Sequence, residues 1–190
     1  MRDEEKGYGF KITVVGDASV GKTSLIKKYT QGSFQKEYIS TLGTQFSKYE
    51  EQIDGVGVNL FLWDIAGQDS FQALRQRFYA GSSGAIIVFS HAPEQSESHT
   101  HVSRWLNDLK KHCGSIPIIL FGNKVDLIDN SELVSNSNLA TSDVNVEKFV
   151  KDNKLIGYYK TSALTGQGVI EAFKALVKEL YMIAKSSSFS

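Results

Sequence analysis

The sequence predicts a doubly wound α/β domain: a six-stranded, mostly parallel sheet with one antiparallel edge strand and helices on both faces. Three observations carry this expectation. Short apolar, β-branched runs alternate with stretches of helical periodicity. The runs containing Leu60, Leu62, Ile86, Ile87, Ile118 and Ile119 lack clean alternation, as strands covered on both faces do. Asp54-Gly55 lies between two extended segments, where a tight hairpin turn calls for positive φ.

In chain order, Phe10–Val15 reads as the first strand and stops at Gly16; a helical pattern through Leu25, Ile26 and Tyr29 then closes at Gly32. Phe46–Ile53 and Val58–Asp64 form the hairpin, and Ala85–Phe89, Ile116–Phe121 and Gly157–Thr161 are the remaining strands. Helices are expected over Phe71–Tyr79, Glu94–His112, Val144–Asn153 and Val169–Ile183. The last places Phe173, Leu176, Val177 and Leu180 on one face, a stripe suited to packing on the sheet. Ile128–Ser142 is Ser/Asn-rich and reads as an exposed loop. One domain over 10–183 is expected, with short tails at 1–9 and 184–190.

The 190 residues carry 21 Lys and Arg against 21 Asp and Glu, and this neutral balance argues against a dedicated nucleic-acid or anionic-membrane binder. A single cysteine, Cys113, excludes an internal disulfide framework and a cysteine-based zinc site, and it reads as an inert thiol. No apolar run approaches the roughly 20 residues of a membrane span, and the charged start lacks a signal-peptide core. A cytoplasmic location is expected.

Gly16-Asp17-Ala18-Ser19-Val20-Gly21-Lys22-Thr23, followed by Ser24, fits the phosphate-loop pattern G-x-x-x-x-G-K-[ST] between a strand and a helix. Glycines let the backbone turn tightly, successive N–H groups form an anion nest, and the helix start adds its positive end. Lys22 is expected to neutralise the β- and γ-phosphates, and the Thr23 hydroxyl to ligate Mg²⁺. Asn123-Lys124-Val125-Asp126 follows a strand, where open α/β sheets bind ligands. A carboxylate at Asp126 can accept from the N1–H and 2-amino group of guanine, donors that adenine lacks. In Trp63-Asp64-Ile65-Ala66-Gly67-Gln68, Asp64 ends a strand as a carboxylate holding a magnesium-bound water should. Gly67 can offer its N–H to the γ-phosphate, and Gln68 can orient the attacking water.

With these blocks in this order, residues 10–183 resemble the Ras superfamily of small GTPases, and so a small G domain of P-loop NTPase type. The resemblance implies a fourth block at Thr161-Ser162-Ala163, with the Ala163 N–H on the guanine oxygen and Leu164 beside the base. It implies a first switch in which Phe34 lies against the base, Tyr38 over the phosphates, and Thr41 reaches Mg²⁺ and the γ-phosphate. Thr44 competes for that last role, but Thr41 has the matching distances from Phe34 and Gly43. Catalysis would then rest on Gln68, Lys22 and Thr41, metal binding on Thr23, Thr41 and Asp64, and the bound ligand would be GTP or GDP.

The nearest likeness is to the Rab branch, with Phe46, Trp63 and Tyr79 where Rab proteins carry an aromatic effector surface. That likeness implies a monomer in vesicle or membrane trafficking or related signalling. It would meet effectors, exchange factors and activating proteins through its switches, and reach membranes peripherally through partners. The chain departs from the pattern in four places. Lys185–Ser190 holds no prenylation cysteine, and Met1-Arg2 offers no myristoylation site. Ala18 and Ser19 stand where Ras-type chains prefer glycine, and the Ala18 methyl crowds the space of Gln68 and of an incoming arginine, slowing hydrolysis modestly at most. Leu164 replaces a lysine that helps cover the base, which lowers the expected affinity. Ile65 and Asp69 replace the usual threonine and glutamate. His99 and His101 read as surface residues, and Arg75 and Arg77 as solvated or partner-facing. Two other classes fit parts of the pattern: a nucleotide-binding scaffold with little hydrolysis, supported by Ala18, and a P-loop kinase or ATPase.

Overall fold

The computed structural model describes residues 7–31, 35–39, 44–67, 77–128 and 141–188, with only the backbone course given for 35–39. Its strands are β1 (Tyr8–Val15), β2 (Gln35–Ile39), β3 (Thr44–Ile53), β4 (Val56–Ile65), β5 (Gly84–Ser90), β6 (Ile118–Asn123) and β7 (Tyr158–Lys160). Its helices are α1 (Lys22–Tyr29), α2 (Val102–Cys113), α3 (Asp143–Asp152) and α4 (Val169–Ser187), with 3₁₀ turns at Pro93–His99 and Val125–Leu127.

One sheet holds every described strand, in the order β2-β3-β4-β1-β5-β6-β7. β1 pairs in parallel with both β4 and β5, so it lies near the middle and its C-terminal end opens into the crevice where such sheets bind ligands. The α/β class, the mostly parallel sheet and all six expected strands are present. A seventh, β2, pairs antiparallel with β3 from Gln35↔Lys48 to Ile39↔Thr44 and takes the edge. Its sequence, Gln-Lys-Glu-Tyr-Ile, is too polar to stand out as a strand, as edge positions allow. β3 alone runs against the other strands, and its hairpin with β4 turns at Asp54 (φ 52°) and Gly55 (φ 81°), the positive pair a two-residue loop demands.

Two apolar layers cover the sheet. On one face, α1 and α4 bury Leu25, Ile26, Tyr29, Phe173, Leu176, Val177 and Leu180 against Ile12, Val14, Leu60, Leu62 and Phe121. On the other, α2 and α3 bring Val102, Trp105, Leu106, Leu109, Val146 and Val150 onto Val15, Ile87, Phe89 and Leu120. β5 is buried along its whole length, which explains its lack of alternation.

Several expectations need correction. The helix expected over Glu94–His112 is instead a 3₁₀ stretch, Pro93–His99, inside which Gln95 leaves helical geometry (φ −130°, ψ 22°), followed by α2 from Val102. Ser98 competes with the helix there: its hydroxyl donates to the Gln95 carbonyl at 2.6 Å and accepts from the Ser90 amide at 2.9 Å. α4 continues past Ile183 to Ser187, and β1 begins at Tyr8, so parts of both expected tails are regular structure. Tyr79 is fully buried (0% exposed) and belongs to the core, not to an exposed aromatic surface. Phe46 and Trp63 do remain half-buried, their rings edge to face at 5.3 Å, with Lys11 Nζ 4.6 Å from the Trp63 ring. Phe34, Thr41, Gln68, Asp69 and Arg75 lie outside the described residues, as do most of the Phe71–Tyr79 helix and of the Ile128–Ser142 loop. No helix among the described residues is long and apolar enough to cross a membrane.

Candidate functional site

The phosphate loop leaves the end of β1 and enters α1 at Gly21, whose φ of 103° is open to glycine at little cost. A Cβ there would stand 2.2 Å from Asn123 Nδ2, so position 21 must also lack a side chain for the two loops to meet. Val20 is buried under the loop, whereas Ala18, Ser19 and Ser24 are exposed. Ser19 sits in the left-handed region (φ 62°), the conformation that glycine at this position would take more easily. Lys22 is buried, and its ammonium donates to the carbonyls of Gly16 at 2.9 Å and Asp17 at 2.8 Å. These bonds hold a positive charge within the loop.

Beside it, β1 and β4 run in register with Val14 opposite Asp64, which brings the β4 carboxylate to the loop. The Thr23 hydroxyl donates to Asp64 Oδ2. Burial pushes the Asp64 carboxyl above the usual carboxylate range, opposed by the Thr23 hydrogen bond and by the charges of Lys22 and Lys27. A hydroxyl and a carboxylate, both hard oxygen donors, thus converge beside a phosphate loop. That donor set suits a small divalent cation such as Mg²⁺, which takes one or two protein oxygens and completes its shell with phosphate and water. Gly67 lies against the loop so closely that a Cβ would stand 2.4 Å from the Ala18 nitrogen. Gly67 itself therefore packs directly against the loop backbone.

The second half of the site is built around Asn123, at the end of β6 and 1% exposed. Its Nδ2 donates to the Val20 carbonyl at 2.8 Å, while its Oδ1 accepts from the Thr161 hydroxyl at 3.3 Å and the Ala163 amide at 3.2 Å. One side chain thus ties together three segments far apart in sequence. Lys124 follows in the left-handed region (φ 65°), and the turn Val125–Leu127 is fastened by the Val125 amide on the Thr161 carbonyl at 3.2 Å. Asp126 projects from that turn, exposed, next to the Thr161–Ala163 segment. Ser162 is buried, its hydroxyl accepting from the Thr165 amide at 3.1 Å, and Leu164 stands 78% exposed beside it.

The structure therefore brings together Asp17 to Thr23, Asp64, Gly67, Asn123 to Asp126 and Ser162 to Leu164 at the C-terminal end of the sheet. Of Tyr38 only the backbone is described, in β2 opposite Gln45. Three contacts were not legible in the sequence. Asp17 Oδ2 meets His101 Nδ1 at 2.6 Å, Asp17 Oδ1 accepts from Trp105 Nε1 at 2.8 Å, and Gln95 Oε1 accepts from Lys124 Nζ at 2.7 Å. His101 is thus engaged with the phosphate loop, which corrects its reading as a plain surface residue. His99 packs edge to face on Phe89, with centroids 5.1 Å apart. A helix with Trp105 on its apolar stripe announces core packing, and nothing in its spacing shows that the indole N–H reaches the loop. A family model described as the Ras family matches residues 11–182 of the chain.

Proposed function

The chain belongs to the Ras family of small GTPases, and from that premise we propose a Rab-like molecular switch that binds GTP and GDP with Mg²⁺ and slowly hydrolyses GTP. The observation that carries the reading is the Asn123 junction. It fixes the phosphate loop at Val20 and the Thr161–Ala163 segment against one amide, so that a phosphate cradle and a base-recognition turn form one continuous site.

In this reading the Asp126 carboxylate accepts from guanine N1–H and the 2-amino group. An adenine would leave that carboxylate without those donors, the kind of mismatch that discriminates strongly. Leu164 gives the base an apolar edge in place of a charged cover. The loop amides face the phosphates, and Lys22, already held within the loop, neutralises charge as it builds toward the transition state. Thr23, Asp64 and Thr41 would hold Mg²⁺, which supplies charge neutralisation at the β- and γ-phosphates. Gln68, the residue after Gly67 in the sequence, orients water for in-line attack on the γ-phosphorus; the γ-phosphoryl passes to that water, and GDP leaves with the bridging oxygen. Thr41 and Gly67 are held while the γ-phosphate is present and released after hydrolysis, which makes the site a switch. Phe34 and Tyr38 cover the base and phosphates, and half-buried Phe46 and Trp63 face effectors and regulators in membrane trafficking. The roles of Phe34, Tyr38, Thr41 and Gln68 rest on the family likeness.

Single-turnover hydrolysis of bound GTP separates the switch from a scaffold that only holds nucleotide. Gln68→Ala is expected to release phosphate at least about tenfold more slowly than the unaltered chain. Equal, slow release from both proteins favours the scaffold.

A further inference from the structure

Between β5 and β6 the chain touches the nucleotide site twice, with groups that the proposed reaction does not use. At the base end, Gln95 Oε1 accepts from Lys124 Nζ at 2.7 Å. At the phosphate end, both oxygens of Asp17 are taken: Oδ2 by His101 Nδ1 at 2.6 Å and Oδ1 by Trp105 Nε1 at 2.8 Å. A carboxylate accepts, so the imidazole nitrogen facing it carries the proton.

Both contacts spring from anchored backbone. Gln95 lies at the kink that Ser98 fixes, and Ser98 is 4% exposed with its hydroxyl shared between the Gln95 carbonyl and the Ser90 amide. Trp105 is 1% exposed, locked in the layer between α2 and the sheet, so its N–H cannot follow a wandering Asp17. The His101 carbonyl accepts from the Trp105 amide at 3.2 Å, so both Asp17 donors share the first turn of α2. A carboxylate inside an anion cradle would repel polyphosphate. Hydrogen bonds from His101, which caps α2, and from Trp105 within it occupy both of its oxygens and hold it against α2. The Asp17 carbonyl meanwhile receives Lys22, so the restraint passes to the phosphate-binding ammonium through a single residue.

We propose that Gln95 and His101 are positioning residues: they brace Lys124 and the phosphate loop from the segment 93–113, and the residence time of bound guanine nucleotide depends on that brace. The inference rests on the reading of the site as a guanine-nucleotide site. Without the brace, Lys124 and the Asp17 peptide must be ordered anew when ligand binds, and that ordering cost appears as faster dissociation.

The test loads the protein with a fluorescent GDP analogue and chases it with excess GDP. Gln95→Met keeps the side-chain length but loses the acceptor, and His101→Phe keeps the ring but loses the donor. Each is expected to speed release at least about threefold, and the double variant about tenfold. Gln95→Glu retains an acceptor for Lys124, and His101→Asn retains an amide N–H near the place of Nδ1; both are expected to stay within about twofold of the unaltered chain. Release at the unaltered rate from Gln95→Met and His101→Phe alike, or equal acceleration in the conservative variants, overturns the brace while leaving the site reading intact. An unaltered chain that retains none of the analogue overturns both.

Discussion

At the scale of single residues, buried polar side chains do the organising, and each is legible only through its partners. Asn123 is the clearest: as a letter it belongs to a polar turn, but its amide spends every bond on joining loops rather than on solvent. His91 is a second case. It is 7% exposed, its Nε2 is 2.9 Å from the Tyr158 hydroxyl, and its Nδ1 has no hydrogen-bond partner among the described residues. Burial pushes its pKa down to about 4, and the nearby His99 pushes the same way. The folded state therefore binds this proton less readily than the unfolded chain, whose histidine titrates near 6.5. The stability that neutral His91 contributes is present above about pH 6.5 and is lost as pH falls toward about 4, by up to about 3 kcal/mol. Urea unfolding at about pH 7 and about pH 4.5 measures this loss. In His91→Phe the loss between the two pH values is expected to shrink by most of that amount; an unchanged loss would place the acid sensitivity elsewhere.

Among the elements, α4 shows how a sequence stripe becomes an energetic fixture. Its apolar face, Phe173, Leu176, Val177 and Leu180, packs as the periodicity predicts. The stripe alone did not show that Phe173 stacks on Tyr29 of α1, with centroids 4.2 Å apart and planes 7° apart, while meeting Phe121 of β6 edge-on at 5.4 Å. Phe173 thus joins the helix that starts the phosphate site to the strand that ends at Asn123. Phe173→Ala is expected to cost about 3–5 kcal/mol in denaturant unfolding. A loss below about 1 kcal/mol would mean that α1 and α4 collapse readily into the space and that the stack is not a fixture. The segment 93–113 teaches the opposite lesson. Its composition reads as one helix, yet it folds as a 3₁₀ stretch over Pro93–His99, which leaves helical geometry at Gln95 beside the Ser98 hydrogen bonds, and then as α2. That break is what aims Gln95 at Lys124.

Over the whole molecule, the architecture was legible because burial imposes period and length on each strand and helix. The central strands β5 and β6 are mostly apolar and buried along their whole length, and the Asp54-Gly55 turn named its own hairpin. β2 escaped notice because an edge strand needs little apolar surface. The site was legible wherever backbone chemistry dictates residue type: glycine at 21 and 67, where a Cβ would strike a neighbouring loop, and Lys22 and Thr23 at the head of α1. It was illegible wherever a side chain serves the site from a distant segment, as His101, Trp105 and Gln95 do. The central claim, that these loops form one site for guanine nucleotide, is tested most directly by competition for the bound fluorescent GDP analogue. GTP should displace it at concentrations comparable to GDP, and ATP should require at least about a thousandfold more. Asp126→Asn should shift the preference to xanthosine diphosphate, whose 2-oxo group accepts where the guanine 2-amino group donates. Displacement by ATP at concentrations comparable to GTP, or an Asp126→Asn variant that still prefers GDP, would contradict the assignment.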